Sequence, residues 1–254
     1  MAKITTKELL DAGVHFGHLT RKWDPQMSPF IFMEKNGIHI IDLNKSLKHL
    51  EEAAAALQGV VRSGRKVMFV ATKKQAKEVV EEQAKKLKMP YVTERWLGGM
   101  LTNFATIRKS LKKMTSIDKL LKEDAYNNLA KREKLMLSRE RAKLERVLGG
   151  IADLNRLPAA LFVVDIKREH IAIAEAQKLN IPVFAMVDTN SNPNEVDYPI
   201  PANDDAFKSI SLITNYLSDA MEAGLGERKK EKEDSKIVEE AKRQKAEAVV
   251  EKKD

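Results

Sequence analysis

The chain has 254 residues, 43% of them hydrophobic, with only 11 Gly and 8 Pro. That is enough to bury one substantial core and carry an appendage, and it excludes a collagen-like, wholly disordered or miniature scaffold. The net charge is +8, and the absence of cysteine excludes disulfides, thiolate metal sites and a cysteine nucleophile.

From the start, Met1-Ala2-Lys3-Ile4-Thr5 lacks the apolar stretch of a signal peptide, and no later run approaches the roughly 20 apolar residues of a membrane-spanning helix. The expectation is a soluble, cytoplasmic protein. Next comes Gly13-Val14-His15-Phe16-Gly17-His18-Leu19-Thr20-Arg21-Lys22-Trp23-Asp24-Pro25, which shows little helical or strand period. Its His, Phe and Trp rings offer faces for unstacked bases and its Arg and Lys meet phosphates, a mixture suited to irregular RNA. Phe16 reads as half structural, whereas Arg21 and Lys22 flanking Trp23 are hard to explain by packing.

From Leu43 through Leu47, Leu50, Ala54 and Leu57 to Val61, steps of four and three predict a helix with Asn44 as N-cap and Gly64 as stop. The unbroken apolar run Val67-Met68-Phe69-Val70-Ala71 predicts a strand covered on both faces. Ala76, Val79, Val80 and Leu87 then mark a further helix. Arg95-Trp96-Leu97-Gly98-Gly99-Met100-Leu101-Thr102-Asn103-Phe104 repeats the basic and aromatic mixture, with Trp96 readable either as a base-stacking ring or as a core anchor.

Residues 102–148 break the alternation. Ile107, Leu111, Met114 and Leu121 approximate a three-four repeat, and Leu137, Leu144, Val147 and Leu148 mark a second helix. Glu123-Asp124 and Asn127-Asn128 supply a turn between them, and Gly98-Gly99 and Gly149-Gly150 bracket the pair. Two arms of about 20 residues would reach roughly 30 Å. The expectation is a protruding helical hairpin, with one folded flat on the sheet as the alternative.

After it, Leu161-Phe162-Val163-Val164 and Val183-Phe184-Ala185-Met186-Val187 predict two more buried strands, with a short helix carrying Ile171, Ala174 and Leu179 between them. A last helix, with Ile210, Ile213, Leu217 and Met221, would begin at Asn203 or Asp204 and end at Gly224. Residues 227–254 are too charged to fix a fold alone and read as a disordered or frayed tail. The fold class is therefore α/β, an open parallel sheet with helices on both faces and an inserted hairpin. Residues 1–101 and 149–226 form the globular domain.

Charge follows these divisions, the balances being +6 over 1–101, +7 over 102–148, −6 over 149–226 and +1 over 227–254. A basic arm on a dipolar molecule suits docking against a polyanion. The residues assigned to phosphates and bases are His15, Arg21, Lys22, Trp23, Arg95, Trp96 and Asn103, with Arg108, Lys109, Lys112, Lys113, Arg139, Arg141, Lys143 and Arg146 on the hairpin. An acidic group, Asp188 with Asn203-Asp204-Asp205, would converge with His18 if the strand ends share one edge of the sheet, and could then hold zinc or magnesium. The alternative reading has Asp204 capping a helix and Asp188 closing an Asx turn. The same acidic stretch could serve as a docking platform for a protein. Neither G-x-G-x-x-G nor G-x-x-x-x-G-K-[ST] occurs, and the turn after the first long strand is Thr72-Lys73-Lys74-Gln75, so a nucleotide enzyme is disfavoured.

Five ordered blocks carry a family resemblance. Gly13-Val14-His15-Phe16-Gly17-His18 with Trp23, Pro25, Met27, Pro29 and Phe30, then Gly37-Ile38-His39-Ile40-Ile41-Asp42-Leu43, opens the series. Arg95 to Asn103, Leu148-Gly149-Gly150-Ile151, and Val187-Asp188-Thr189-Asn190 followed by Asn203-Asp204-Asp205 complete it. Together, over about residues 4–224, the chain resembles the bacterial family of the second protein of the small ribosomal subunit. The resemblance implies a flavodoxin-like domain with a coiled-coil hairpin, seated where head and body of the small subunit meet. It implies binding to small-subunit ribosomal RNA and neighbouring proteins, among them the large messenger-binding first protein, with no catalysis, no required cofactor, no membrane and no small-molecule substrate.

Overall fold

The computed structural model describes residues 4–121 and 130–250, with side chains described as far as residue 231. Helix α1 (Thr6–Asp11) opens on a capping box in which the Glu8 N–H donates to the Thr5 hydroxyl and the Thr5 N–H donates to the Glu8 carboxylate. Strands β1 (Phe16–Leu19), β2 (Ile31–Lys35) and β3 (Ile38–Ile41) then form a small antiparallel sheet in the order β1-β3-β2. Sequence periodicity does not show this sheet, because its strands are short and β2 is exposed beyond its first residue. The available signal is Asn36-Gly37, whose φ angles of 54° and 72° make the tight turn that joins β2 to β3.

Helix α2 (Leu43–Arg62) is capped by Asp42, whose carboxylate accepts from the Asn44 N–H at 3.0 Å. The cap thus lies two residues before the expected Asn44. Gly64, at φ 83°, follows the helix end as expected. The main sheet has five parallel strands, β4 (Val67–Val70), β5 (Tyr91–Val92), β6 (Ala160–Val164), β7 (Val183–Val187) and β8 (Tyr198–Pro201), in the order β5-β4-β6-β7-β8. The three long apolar runs are its three central strands. Two short edge strands, β5 and β8, escaped the periodicity.

Strict alternation divides the core. Val67, Phe69, Phe162, Val164, Phe184 and Met186 face the layer built from α1, α2, α3 (Lys74–Leu87) and α7 (Phe207–Val250). Met68, Val70, Leu161, Val163, Ala185 and Val187 face α6 (His170–Lys178), the Trp96 to Leu101 loop and the apolar side of α4 (Phe104–Leu120). Helices therefore cover both faces, which is why these strands carry no polar alternation.

Helices α4 and α5 (Lys131–Leu148) lie in contact with each other. Ile107, Leu111 and Met114 of α4 and Leu148 of α5 join the second core layer, with Leu144 and Val147 packed against it. The expected turn residues between the two helices lie outside the described residues.

Helix α7 differs from expectation at both ends. It begins at Phe207, after a turn in which the Asn203 side chain accepts from the N–H groups of Asp205 and Ala206 at 2.9 and 3.1 Å. It continues through Gly224 instead of stopping there. Gly224 serves close packing: a Cβ at that position would stand 2.7 Å from the Gln58 carbonyl oxygen of α2. Beyond it, Glu227 accepts from the Gln58 amide at 2.8 Å, and Glu231 pairs with Arg62. Residues 227–231, assigned above to a tail, are thus held against α2. Helix α7 itself runs on to Val250.

Candidate functional site

Strand order reverses between β4 and β6, since the chain leaves β4 for the edge strand β5 and returns on the other side of β4. Ligands of open α/β sheets collect outside the strand C-termini at such a switch point. Here Lys73 follows β4, Asp165 follows β6, Asp188 follows β7, and Asn203-Asp204-Asp205 follow β8. The expected convergence of strand ends is present.

Lys73, missed in the sequence, lies at its centre. Its ammonium stands 2.7 Å from Asp204 Oδ1, 2.6 Å from Asp205 Oδ1 and 3.3 Å from Asp165 Oδ2. The signal for it was the turn Thr72-Lys73-Lys74-Gln75, read only as a missing phosphate loop. His18 bridges the other side, Nδ1 at 3.0 Å from Asp188 Oδ2 and Nε2 at 3.3 Å from Asp205 Oδ2. The hydrogen bond to Asp188 raises the His18 pKa, burial opposes the rise, and the surrounding carboxylates reinforce it. Burial, together with the charges of Asp188 and Asp165, pushes Asp204 up to about 7, against the pull of Lys73. Burial also works against the Lys73 charge, but the carboxylates outweigh it and its pKa rises. Four carboxylates against one ammonium and one imidazole leave an excess of negative charge, which a proton on Asp204 reduces.

Asp204 does not cap α7. Its Oδ1 accepts from Lys73, while its Oδ2 is buried with no hydrogen-bond partner. Asp188 does not close an Asx turn either: its Oδ1 accepts from the N–H and hydroxyl of the adjacent Thr189, and the turn is closed by the backbone, the Ser191 N–H donating to the Asp188 carbonyl at 3.2 Å. Ligand atoms of His18, Asp188 and Asp204 lie within 4.8 Å of one another, a set that could hold a divalent cation. Asp205, exposed and turned to Lys73 and His18, stands outside that set.

The first basic loop is pinned to this edge. The His18 N–H donates to the Thr189 hydroxyl at 2.8 Å, the Asp24 N–H donates to the Thr189 carbonyl at 2.8 Å, and a Cβ on Gly17 would meet Thr189 at 2.5 Å. Arg21, Lys22 and Trp23 project from it exposed, with the Trp23 ring 5.1 Å from His39. His15 is half-buried, which lowers its pKa, and its ring lies tilted against Phe16, centroids 4.0 Å apart, with Phe16 itself exposed.

Trp96 requires a correction. It is 7% exposed within the second core layer, and its indole N–H donates to Glu175 at 3.1 Å, so it offers no face to a base. Glu175 of α6, also missed, organises the whole loop. Its Oε1 accepts from Trp96 and from the Gly99 N–H at 2.7 Å; its Oε2 accepts from the Leu101 and Thr102 N–H groups at 2.9 and 3.0 Å and from the Thr102 hydroxyl at 3.1 Å. Burial opposes the Glu175 charge, and the donors outweigh it, so the pKa is lowered. Nothing in local sequence marks a glutamate on another helix as the partner of a loop about 75 residues away. The loop presents exposed Arg95 and Asn103, the latter accepting from Thr106 at 2.9 Å.

The structure sorts the predicted cations of α4 and α5. Lys113 pairs with Glu140, and Arg141 pairs with Asp118 at 2.7 Å and Glu145 at 3.4 Å, so these two are spent within the helix pair. Arg146 lies near the Glu94 charge. Arg108, Lys109, Lys112, Arg139 and Lys143 are exposed, with no carboxylate partner among the described residues.

The family described as "Ribosomal protein S2" matches residues 9–224. The chain is 70% identical over 244 residues to "Small ribosomal subunit protein uS2" of Cytophaga hutchinsonii, covering 96% of each chain. It is 66% identical over 231 residues to the protein of that name in Flavobacterium johnsoniae, covering 91% of each, and 59% identical over 254 residues to that of Parabacteroides distasonis, covering 99% of this chain and 91% of the relative.

Proposed function

The chain belongs to the ribosomal protein S2 family, and from that membership we propose that it works as a structural, non-catalytic constituent of the bacterial small ribosomal subunit in translation. It binds small-subunit ribosomal RNA and neighbouring ribosomal proteins, acts in the cytoplasm on the ribosome, and requires no cofactor. No helix among the described residues is long and apolar enough to cross a membrane. The globular part is flavodoxin-like, and α4 with α5 forms a protruding coiled-coil hairpin whose arms the Lys113–Glu140 and Asp118–Arg141 pairs hold in register. Its place is the junction of head and body, where it helps dock the messenger-binding first protein.

The observation that carries the RNA-binding reading is the set of exposed cations Arg108, Lys109, Lys112, Arg139 and Lys143 on this helix pair, none with a carboxylate partner among the described residues. Arg21, Lys22, Trp23 and Arg95 add contacts from the loops. Replacing Arg108, Lys109, Lys112 and Lys143 with glutamine is expected to weaken binding to small-subunit RNA. It should also make the log affinity against log salt plot shallower by about 0.7 to 0.9 per lost contact. An unchanged slope removes the hairpin from the interface.

A second reading concerns the crevice. The buried, unpartnered Asp204 Oδ2 beside His18 and Asp188 favours a divalent cation held there as a structural tie between the first loop and the strand ends. Elemental analysis of wild-type protein is expected to show zinc or magnesium that is lost in Asp188→Asn; equal content in both disproves it.

A further inference from the structure

We propose that the opposite edge of the main sheet, where the strands begin, is a second cationic surface that holds an RNA phosphodiester backbone. The proposal rests on the RNA-binding reading above and assigns to it residues that neither the motifs nor the helix pair identify.

Two adjoining clefts of about 430 and 440 Å³ open at this edge and share Lys66, Asp153 and Leu154 in their walls. Lys66 immediately precedes β4, and its carbonyl accepts from the Ala159 N–H at the start of β6, so the clefts lie a full strand length from the carboxylate crevice. Arg65, Lys66, Lys88 and Arg156 line them, all exposed and none with a carboxylate partner among the described residues. The Arg65 Nε donates to the Ser63 hydroxyl at 3.0 Å, which orients the guanidinium without neutralising it. Arg228 of α7 adds a fifth cation, since its guanidinium lies 2.3 Å from where a Cβ on Gly64 would stand. Among the described residues, Asp153 is the one carboxylate in the cleft walls. Lys85 is the lining cation already engaged, by Glu81 at 2.6 Å and the face of Tyr91.

Three features favour a phosphate chain over an acidic protein. The first cleft includes Gly149-Gly150 in its wall, where backbone packs closely: a Cβ on Gly150 would collide with the Tyr91 carbonyl oxygen at 2.2 Å. Among the described residues the wall has no large exposed apolar anchor other than Leu157, and such anchors are what a protein partner would need. Gly149 also directly follows the last residue of α5, so this surface continues the basic helix pair instead of standing apart from it. Dipole compensation accounts for cations in the last turn of α3 and for Arg65, which is bonded to the C-cap Ser63 of α2, but Arg156 lies in a loop where no helix end requires it.

The test uses the full chain incorporated into small subunits in cells, with a photoreactive benzophenone amino acid at Lys66 or Arg156, and in parallel at Lys109 or Lys143. Crosslinks from both pairs to ribosomal RNA are the expected result. RNA crosslinks from Lys109 and Lys143 alone, with protein or nothing at Lys66 and Arg156, overturn this proposal and leave the hairpin reading standing. Silence at all four positions overturns both. As a second measurement, the purified variant with Arg65, Lys66, Lys88 and Arg156 changed to glutamine should bind small-subunit RNA with a salt slope lowered by about 3 to 3.5. A slope equal to wild type, with the melting temperature retained, also overturns the proposal.

Discussion

Glu175 and Asp204 show how differently two buried carboxylates can be treated by one fold. Glu175 receives five donors and stays ionised below its ordinary range. Glutamine has one acceptor oxygen, so Glu175→Gln would turn an amide NH2 toward two or three donors. Each orphaned donor costs about 1 to 3 kcal/mol, and a loss of at least about 2 kcal/mol in urea unfolding is expected, with Trp96 fluorescence shifting to the red in a Trp23→Phe background. Unchanged stability would show that the loop holds itself. Asp204 behaves oppositely, because burial and two like charges raise it from 3.8 to about 7. Between those pH values the folded chain keeps a proton that the unfolded chain has released. The contribution of this group is therefore complete below about pH 4 and lost as pH rises through about 7. The stability of wild type relative to Asp204→Asn should fall by up to about 4 kcal/mol between pH 4 and pH 8. His18, also raised, drifts in the same direction. A difference that stays flat with pH would mean that Lys73 keeps Asp204 ionised throughout.

Among the elements, α7 gives the sharpest contrast between local propensity and packing. Glycine costs about 1 kcal/mol relative to alanine inside a helix, which makes Gly224 read as a stop. Packing decides otherwise, for α7 lies against α2 and needs the missing Cβ. Gly224→Ala should therefore destabilise by about 1 to 2 kcal/mol, overpacking against the Gln58 backbone outweighing the propensity gain. Gly226→Ala, with nothing within 4 Å of its Cβ, should stabilise by up to about 1 kcal/mol. Thermal melts of the two variants check the pair, and equal effects would refute the packing account. The three central strands were legible because burial on both faces imposes unbroken apolar runs. Strands β5 and β8 were not, since two to four residues with Tyr and Pro among them show no period. The small antiparallel sheet was invisible for the same reason, apart from its Asn36-Gly37 turn.

Over the whole molecule, linear charge sums and surface charge part company. The acidic balance of residues 149–226 suggested an acidic docking face, yet Asp165, Glu169, Glu175, Asp188 and Asp204 are buried and engaged inside the fold. Lys73 is the buried cation set against them. The exposed surface is consequently more basic than a net +8 suggests, with positive charge on the helix pair, the first loop and the strand-start edge. From its sequence alone this protein was determined to be a two-faced parallel α/β domain with a basic helical insertion and a family-specific set of ordered motifs. Those features are written in local apolar periods and residue types. Tertiary structure alone decided that Trp96 belongs to the core, that Lys73 fills the carboxylate crevice, that Glu175 ties down the loop before α4, and which cations remain free. Each of those depends on a partner tens of residues or more away, and only the folded chain brings charge and counter-charge within reach.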